Sequence, residues 1–342
     1  MQKVNWGIIG LGSIANEFAK AFNNLNYAKL LAISSKDKKK INIFKNNFEI
    51  QDNYCFNNYD ELIKEEKLDI IYLALPTFLH KKWTISCLQN NKNILVEKPA
   101  VLNLEQANSI KKEILIKNLF FTEGYMYRYY PQIKKLVEII NSGEMGRPVS
   151  METSFGLNLL TKKKFFFFSK LKKIDPSNRL FNKALGGGCI LDLGCYPTSF
   201  SLLIASLIKN FNHKKFKIIN IKKKITSIGV EVDAECELLF EDGFKSKIKS
   251  SFEKDIGKKS IIYCEKGSLE INDTWLNPDK IIKVVNGKRD IIKQKMIKNI
   301  YSYQIENVSK SIMQNKKKTL YPGFDIEDTL LNTEILEKWA NA

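Results

Sequence analysis

Two hydrophobic rhythms alternate along the first 122 residues. Short runs rich in β-branched and leucine side chains, VNWGII (4–9), AKLLAIS (28–34), DIIYLAL (69–75), NILVEK (93–98) and LFFTEG (119–124), read as strands. Helix-like segments fall between them, near 13–24, 37–47, 58–66, 78–90 and 103–117. Strands separated by single helices predict a parallel, doubly wound sheet. Beyond residue 123 the order changes: a helix near 131–142, the strand PVSMETSFGL (148–157), a long segment over 157–185 and a strongly apolar helix. Alternating strand-like runs follow, including VEVDAECELLFEDGFKSKIKSSF (230–252), whose EDG reads as a hairpin turn. The expected fold is α/β: a doubly wound parallel sheet over residues 1–122, then an α+β domain over 123–342. The second domain is expected to carry a large, mainly antiparallel open sheet, with helices near 296–315 and 325–340 packing back.

At 342 residues and 44% hydrophobic content the chain can bury a large core and form two domains. A formal charge of +18 raises the question of nucleic acid, but only four of the 55 basic residues are arginine (Arg128, Arg147, Arg179, Arg289) and the lysines are scattered. Without clustering, and nearly without the residue that reads bases and phosphates bidentately, no nucleic-acid partner is expected. Six cysteines include no C-x-x-C pair and the chain opens on a strand-like segment without a signal peptide, so a reducing, cytoplasmic setting is expected. The apolar stretch 189–208 holds Asp192 and Pro197 and reads as a buried helix, not a membrane span. With two histidines, no Cys/His cluster of ligand spacing and no G-x-S-x-G elbow, neither a metal site nor a hydrolytic triad is expected.

Three segments carry candidate chemistry. In GIIGLGSIANEF, Gly10, Gly12 and Ala15 stand in G-x-G-x-x-A spacing, directly after the first strand and at the start of the first helix. Gly10 permits a tight turn, Gly12 lets backbone approach a diphosphate, and Ala15 allows close helix packing; Ser13 and Ile14 supply first-turn N–H groups to the anion. The second strand ends in Ser34, Ser35 and Lys36 rather than the acidic residue of an NAD-type site, so NADP is favoured, NAD remaining possible through Asp37. The strand ILV runs into Glu97, Lys98 and Pro99, where a proline ends the strand and leaves Lys98 as a cofactor or substrate contact or a plain surface lysine. Last, LGGGCILDLGCYP (185–197) frames Asp192 and Tyr196 with four glycines, expected to let the helix press close to a nicotinamide crevice.

In this order, with YLALPTFLH (72–80) and EGYMYRYYPQ (123–132), the motifs resemble the Gfo/Idh/MocA oxidoreductases across essentially the whole chain. The sequence is most similar to the branch holding glucose–fructose oxidoreductase and the dihydrodiol and D-xylose dehydrogenases. The resemblance implies that Lys98 is the catalytic lysine, that Asp192 binds a substrate hydroxyl, and that Tyr196 exchanges the proton. It also implies that Pro76, Thr77, His80 and Glu97 lie along the cofactor, although the family more often has Asn where Thr77 stands and His80 reads equally as a structural residue. Tyr127 and Arg128 are candidate substrate contacts or domain-junction packing. The run Phe165–Phe168 is a candidate lid, oligomer contact or buried strand.

Hydride exchange with a carbinol carbon needs proton transfer at its oxygen. A lysine ammonium beside a tyrosine stabilises the phenolate, so Lys98 is expected to tune Tyr196. Asp192, four residues earlier, is expected on the same helix face, one turn away. The expected function is an NAD(P)-dependent dehydrogenase or reductase acting on a sugar, polyol or diol, with no membrane partner and assembly as a homodimer or homotetramer. The alternatives are redox-neutral chemistry on a recycled cofactor and a non-catalytic nucleotide sensor.

Overall fold

The computed structural model describes residues 3–23, 25–164, 168–171, 174–276 and 279–342, and side chains outside 162–173. The chain divides into two compact units, Met1–Tyr130 with Ile297–Leu330, and Pro131–Met296 with Leu331–Ala342. The expected single boundary after residue 122 therefore differs from the observed division in two places: eight more residues belong to the first unit, and the chain returns to it after residue 296.

In the first unit β1 (Val4–Ile9), α1 (Ser13–Lys20), β2 (Ala28–Ser34), α2 (Lys38–Phe48), β3 (Cys55–Phe56), α3 (Tyr59–Ile63), β4 (Ile70–Leu73), α4 (Thr77–Gln89), β5 (Asn93–Val96), α5 (Leu104–Lys117) and β6 (Phe121–Glu123) alternate. The strands form a six-stranded parallel sheet in the order β3-β2-β1-β4-β5-β6, which is the doubly wound dinucleotide-binding arrangement. Strand β3, two residues long, gives no periodicity to read and escaped the sequence pattern. The expected strand ends were also too generous: Glu97 and Lys98 lie beyond β5, in the turn.

In the second unit α6 (Pro131–Ser142) precedes β7 (Pro148–Gly156), and β8 (Thr161–Lys164) pairs antiparallel with β9 (Phe168–Leu171) as a separate ribbon. Of the phenylalanine run, Phe165 to Phe167 lie outside the described residues. Helix α7 (Cys195–Ser206) is followed by β10 (Phe216–Ile225), β11 (Glu231–Phe240), β12 (Lys245–Ser251), β13 (Ser260–Cys264), β14 (Gly267–Ile271), β15 (Lys280–Val285) and β16 (Lys288–Lys293). They build an eight-stranded sheet, β10-β11-β12-β7-β13-β14-β15-β16, antiparallel except where β12 runs parallel to β7. Strand β11 alternates buried and half-buried residues after its first two, the signature of a sheet covered on one face. Its cover is α7, buried over Cys195–Ala205. Among the described residues one apolar helical stretch is long enough to cross a membrane, Lys183–Ser206, and 89% of its most apolar 18 residues are buried, which makes it this unit's core helix.

Helix α8 (Ile300–Met313) explains the return of the chain to the first unit. Its Tyr301 packs edge-on against Phe18 of α1, Ser302 donates to Ala21 O at 2.8 Å, and Ser309 accepts from Trp6 Nε1 at 3.0 Å. Phe18 in turn stacks on Tyr72 with centroids 3.9 Å apart, so α8 closes an aromatic core over β1 and β4. The final helix, α9 (Ile326–Asn341), contributes to both units by sequence.

Candidate active site

The turn from β1 into α1 uses its two glycines differently. Gly10 has φ +92°, and a Cβ there would lie 2.6 Å from Ala74 O at the end of β4, so the chain itself requires glycine. Gly12 is extended, caps α1 without any side-chain hydrogen bond, and a Cβ on it would meet nothing within 4 Å. Open space thus lies over uncapped N–H groups at a helix N-terminus, where an anion is favoured. Ser13 is exposed and Ile14 half-buried in that first turn, while Ala15 is fully buried as the spacing implies. The residues present fit the diphosphate of a nicotinamide dinucleotide.

At the end of β2, Ser35 is buried and its hydroxyl accepts from Asp37 N–H at 3.1 Å. Asp37 caps α2, its Oδ1 accepting from the backbone of Lys39 (2.9 Å) and Lys40 (3.4 Å). The carboxylate open to a ribose by sequence is therefore engaged as a helix cap. Lys36 stays exposed, with its ammonium 5.8 Å from the Tyr59 ring centroid.

The loops after β4 and β5 hold most of the other expected residues. Pro76 caps α4 and is exposed, and Thr77 behind it is buried. His80, 1% exposed, sets Nε2 2.6 Å from Leu75 O and Nδ1 3.0 Å from Pro99 O. Lys98 is half-buried; its N–H donates to Glu97 Oε2 at 3.2 Å, and Glu97 Oε1 accepts from the Tyr72 hydroxyl. These contacts make Glu97 and His80 braces of the loops on which the cofactor residues stand. Sequence reasoning missed Glu123, at the end of β6. It accepts from Ala100 N–H (2.9 Å) and the Thr329 hydroxyl (2.8 Å), and burial pushes its carboxyl up to about 7 against the pull of those hydrogen bonds.

Tyr127 and Arg128, candidates for substrate, are both buried. Arg128 Nε donates to Pro322 O at 2.7 Å and its guanidinium lies 5.3 Å from the Phe324 ring centroid, contacts that fasten residues 322–324 to the first unit. Both are packing contacts within the first unit.

In the second unit the glycines of 186–194 meet the protein's own chain. A Cβ on Gly187 would come within 2.6–2.8 Å of backbone atoms of Arg179 and Asn182, one on Gly188 within 2.6 Å of Glu231 Oε2, and one on Gly194 within 2.9 Å of Trp339. They are needed to fold 179–188 tightly and to seat the helix against α9. Ile190–Gly194 forms a π-helical turn running into α7. Asp192 stands on this π-helical turn and Tyr196, four residues on, in the first turn of α7. Asp192 is paired with Arg179, Nη1 to Oδ1 3.4 Å, the carboxylate side chain 13% and the arginine 50% exposed. Arg179 was missed because its partner is thirteen residues away. Tyr196, 6% exposed, packs edge-on to Phe155 (5.2 Å between centroids) and against Trp275 (5.7 Å).

A doubly wound sheet with an open glycine cradle after β1 defines a dinucleotide-binding protein. The oxidoreductase-family model with an NAD-binding Rossmann fold matches residues 4–125, the GFO/IDH/MocA C-terminal domain model matches 133–270, and the chain belongs to the GFO/IDH/MocA oxidoreductases. It is an NAD(P)-dependent oxidoreductase. It is 26% identical to trans-1,2-dihydrobenzene-1,2-diol dehydrogenase of Xenopus tropicalis over 97% of this chain and 96% of that one. It is 28% identical to D-xylose 1-dehydrogenase (NADP(+)) of Hypocrea jecorina over 58% of this chain and 52% of the relative. Among solved structures, the aldose–aldose oxidoreductase of Caulobacter crescentus superimposes with a TM-score of 0.84 at 20% identity, covering 100% and 97% of the two chains.

Proposed function

We propose that the protein is an NADP-preferring dehydrogenase or reductase acting at a carbinol or carbonyl carbon of a sugar, polyol or diol. The observation that carries the reading is the Asp192–Arg179 pair on the turn that leads into Tyr196, in a chain whose other unit is an NAD-binding domain. Bound nicotinamide supplies the two-electron acceptor or donor at the reacting carbon. Gly10, Gly12, Ser13 and Ile14 hold the diphosphate, Ser35 and Lys36 the ribose phosphate, and Pro76 and Thr77 the nicotinamide side. Tyr196 takes the hydroxyl proton onto its phenolic oxygen in oxidation and returns it in reduction, and the Lys98 ammonium stabilises the phenolate. Asp192 accepts a hydrogen bond from a second hydroxyl, which selects a vicinal diol over a simple alcohol. The resemblance to a diol and a xylose dehydrogenase supports that substrate class. Assembly as a homodimer or homotetramer through the open face of the eight-stranded sheet, where Tyr263 is exposed on β13, belongs to the same reading.

Fluorescence titration with NADPH and NADH, followed by a screen of aldoses, polyols and diols, tests it. Tighter binding of NADH overturns the cofactor preference. Lys98→Met and Tyr196→Phe are each expected to lower turnover by about a hundredfold or more, and a loss within a few-fold overturns their roles.

A further inference from the structure

Resting on the reading of Lys98 as the catalytic lysine, we propose that His80 and Glu123 are its positioning residues, clamping the Lys98–Pro99–Ala100 segment at Pro99 O and Ala100 N–H. The segment lies past the end of β5. Three buried or half-buried side chains hold it, two from other elements and one directly before it. His80 of α4 reaches Pro99 O with Nδ1 and, with Nε2, Leu75 O in the loop after β4. Glu123 of β6 receives the next amide, Ala100 N–H, on Oε1, while Thr329 donates to its Oε2 and so fixes the carboxyl plane. Glu97 receives Lys98 N–H and is itself held by Tyr72.

The physical need is plain. A lysine side chain has four rotatable carbons, and its ammonium is useful only if the backbone that launches it does not move. Misplacing a reacting group by about 1 Å costs on the order of a hundredfold in rate. Both His80 and Glu123 act on main-chain atoms flanking Lys98, so their effect passes through the lysine. A carbonyl only accepts, so the Pro99 tie requires hydrogen on Nδ1 of His80, and holding Leu75 O at the same time requires hydrogen on both ring nitrogens.

The test is a cycle of variants assayed with NADPH and a working substrate. His80→Ala and Glu123→Ala are expected to lower kcat about 10- to 100-fold while KM and the NADPH Kd stay within about threefold. Glu123→Gln, which keeps an oxygen for Ala100 N–H, is expected to restore most of the loss. In a Lys98→Met background neither alanine variant lowers kcat further. Single variants that keep kcat within about threefold, or whose losses add to that of Lys98→Met, overturn the proposal. If Lys98→Met itself leaves turnover intact, the reading of Lys98 falls and takes the clamp with it; if Lys98→Met is impaired and the clamp variants are not, the clamp alone falls. Where the alanine variants do not fold, 15N NMR of the wild-type protein decides: with only two histidines the signals are assignable. Hydrogen on Nδ1 of His80 supports the tie, and hydrogen on Nε2 alone overturns it.

Discussion

The two glycines after β1 make a prediction with opposite outcomes two residues apart. In Gly10→Ala the new side chain must hold φ near +92° and sits 2.6 Å from Ala74 O and 2.8 Å from Leu75 Cδ2. The left-handed backbone alone costs about 1–2 kcal/mol, and displacing a strand-end carbonyl raises the total to roughly 3 kcal/mol. For a unit of this size that is a fall in Tm of roughly 6–12 °C. In Gly12→Ala the backbone is already extended, with φ −90° and ψ −174°, and the methyl enters empty space. Only the weaker capping of alanine is felt, less than about 1 kcal/mol. The methyl occupies the approach to the helix N-terminus, and losing one charge-assisted hydrogen bond of about 1.5–3 kcal/mol weakens NADPH binding roughly 10- to 150-fold. Differential scanning fluorimetry without cofactor and fluorescence titration with NADPH read the two effects separately. A Tm drop in Gly12→Ala as large as in Gly10→Ala, or an unchanged NADPH Kd in Gly12→Ala, refutes the cradle.

Glu123 makes stability depend on pH. Its folded pKa, about 7, lies above the ordinary carboxylate value, so the folded state holds the extra proton and the associated stability is complete below about 4.5 and is lost as pH rises toward 7. The full span is on the order of 3 kcal/mol, and Glu123→Gln is expected to flatten the fall in Tm between pH 5 and 7.5; equal slopes in both proteins rule this out. In the second unit, Gly194→Ala drives a methyl to 2.9 Å from Trp339 and is expected to cost about 1–3 kcal/mol in chemical denaturation, with Gly187→Ala, facing backbone on three sides, costing more. Wild-type stability in either variant refutes the packing role. Arg179→Met breaks a half-exposed pair, so Tm is expected to move little, while kcat/KM for a diol falls about tenfold as Asp192 loses this ion pair; an unchanged kcat/KM removes Arg179 from the site.

What was legible in the sequence was local. The strands β1, β2, β4 and β5 and the helices α1, α2, α4, α5, α6 and α8 announce themselves by periodicity, and Gly10 and Gly12 by spacing, because a turn, a cap and an amphipathic face are decided within a few residues. The EKP and DLGCYP segments named Lys98, Asp192 and Tyr196 as candidates through resemblance. Periodicity alone would have left them a surface lysine, a helix-interior carboxylate and a core aromatic.

What remained hidden depends on contacts between distant residues. Asp37 was free to serve a ribose until the start of α2 took it as a cap. Arg128 stood between pocket contact and packing in the sequence, and its tie to Pro322 O, 194 positions along the chain, exists only in the fold. The glycines of LGGGCILDLG looked like room for a cofactor, whereas Arg179, Asn182, Glu231 and Trp339 are what they make room for. Alternation and spacing thus set the elements, their order and the candidate chemistry. Which polar groups are consumed by folding and which face a ligand was decided only in the tertiary structure, because hydrogen-bond satisfaction and burial belong to the packed chain as a whole.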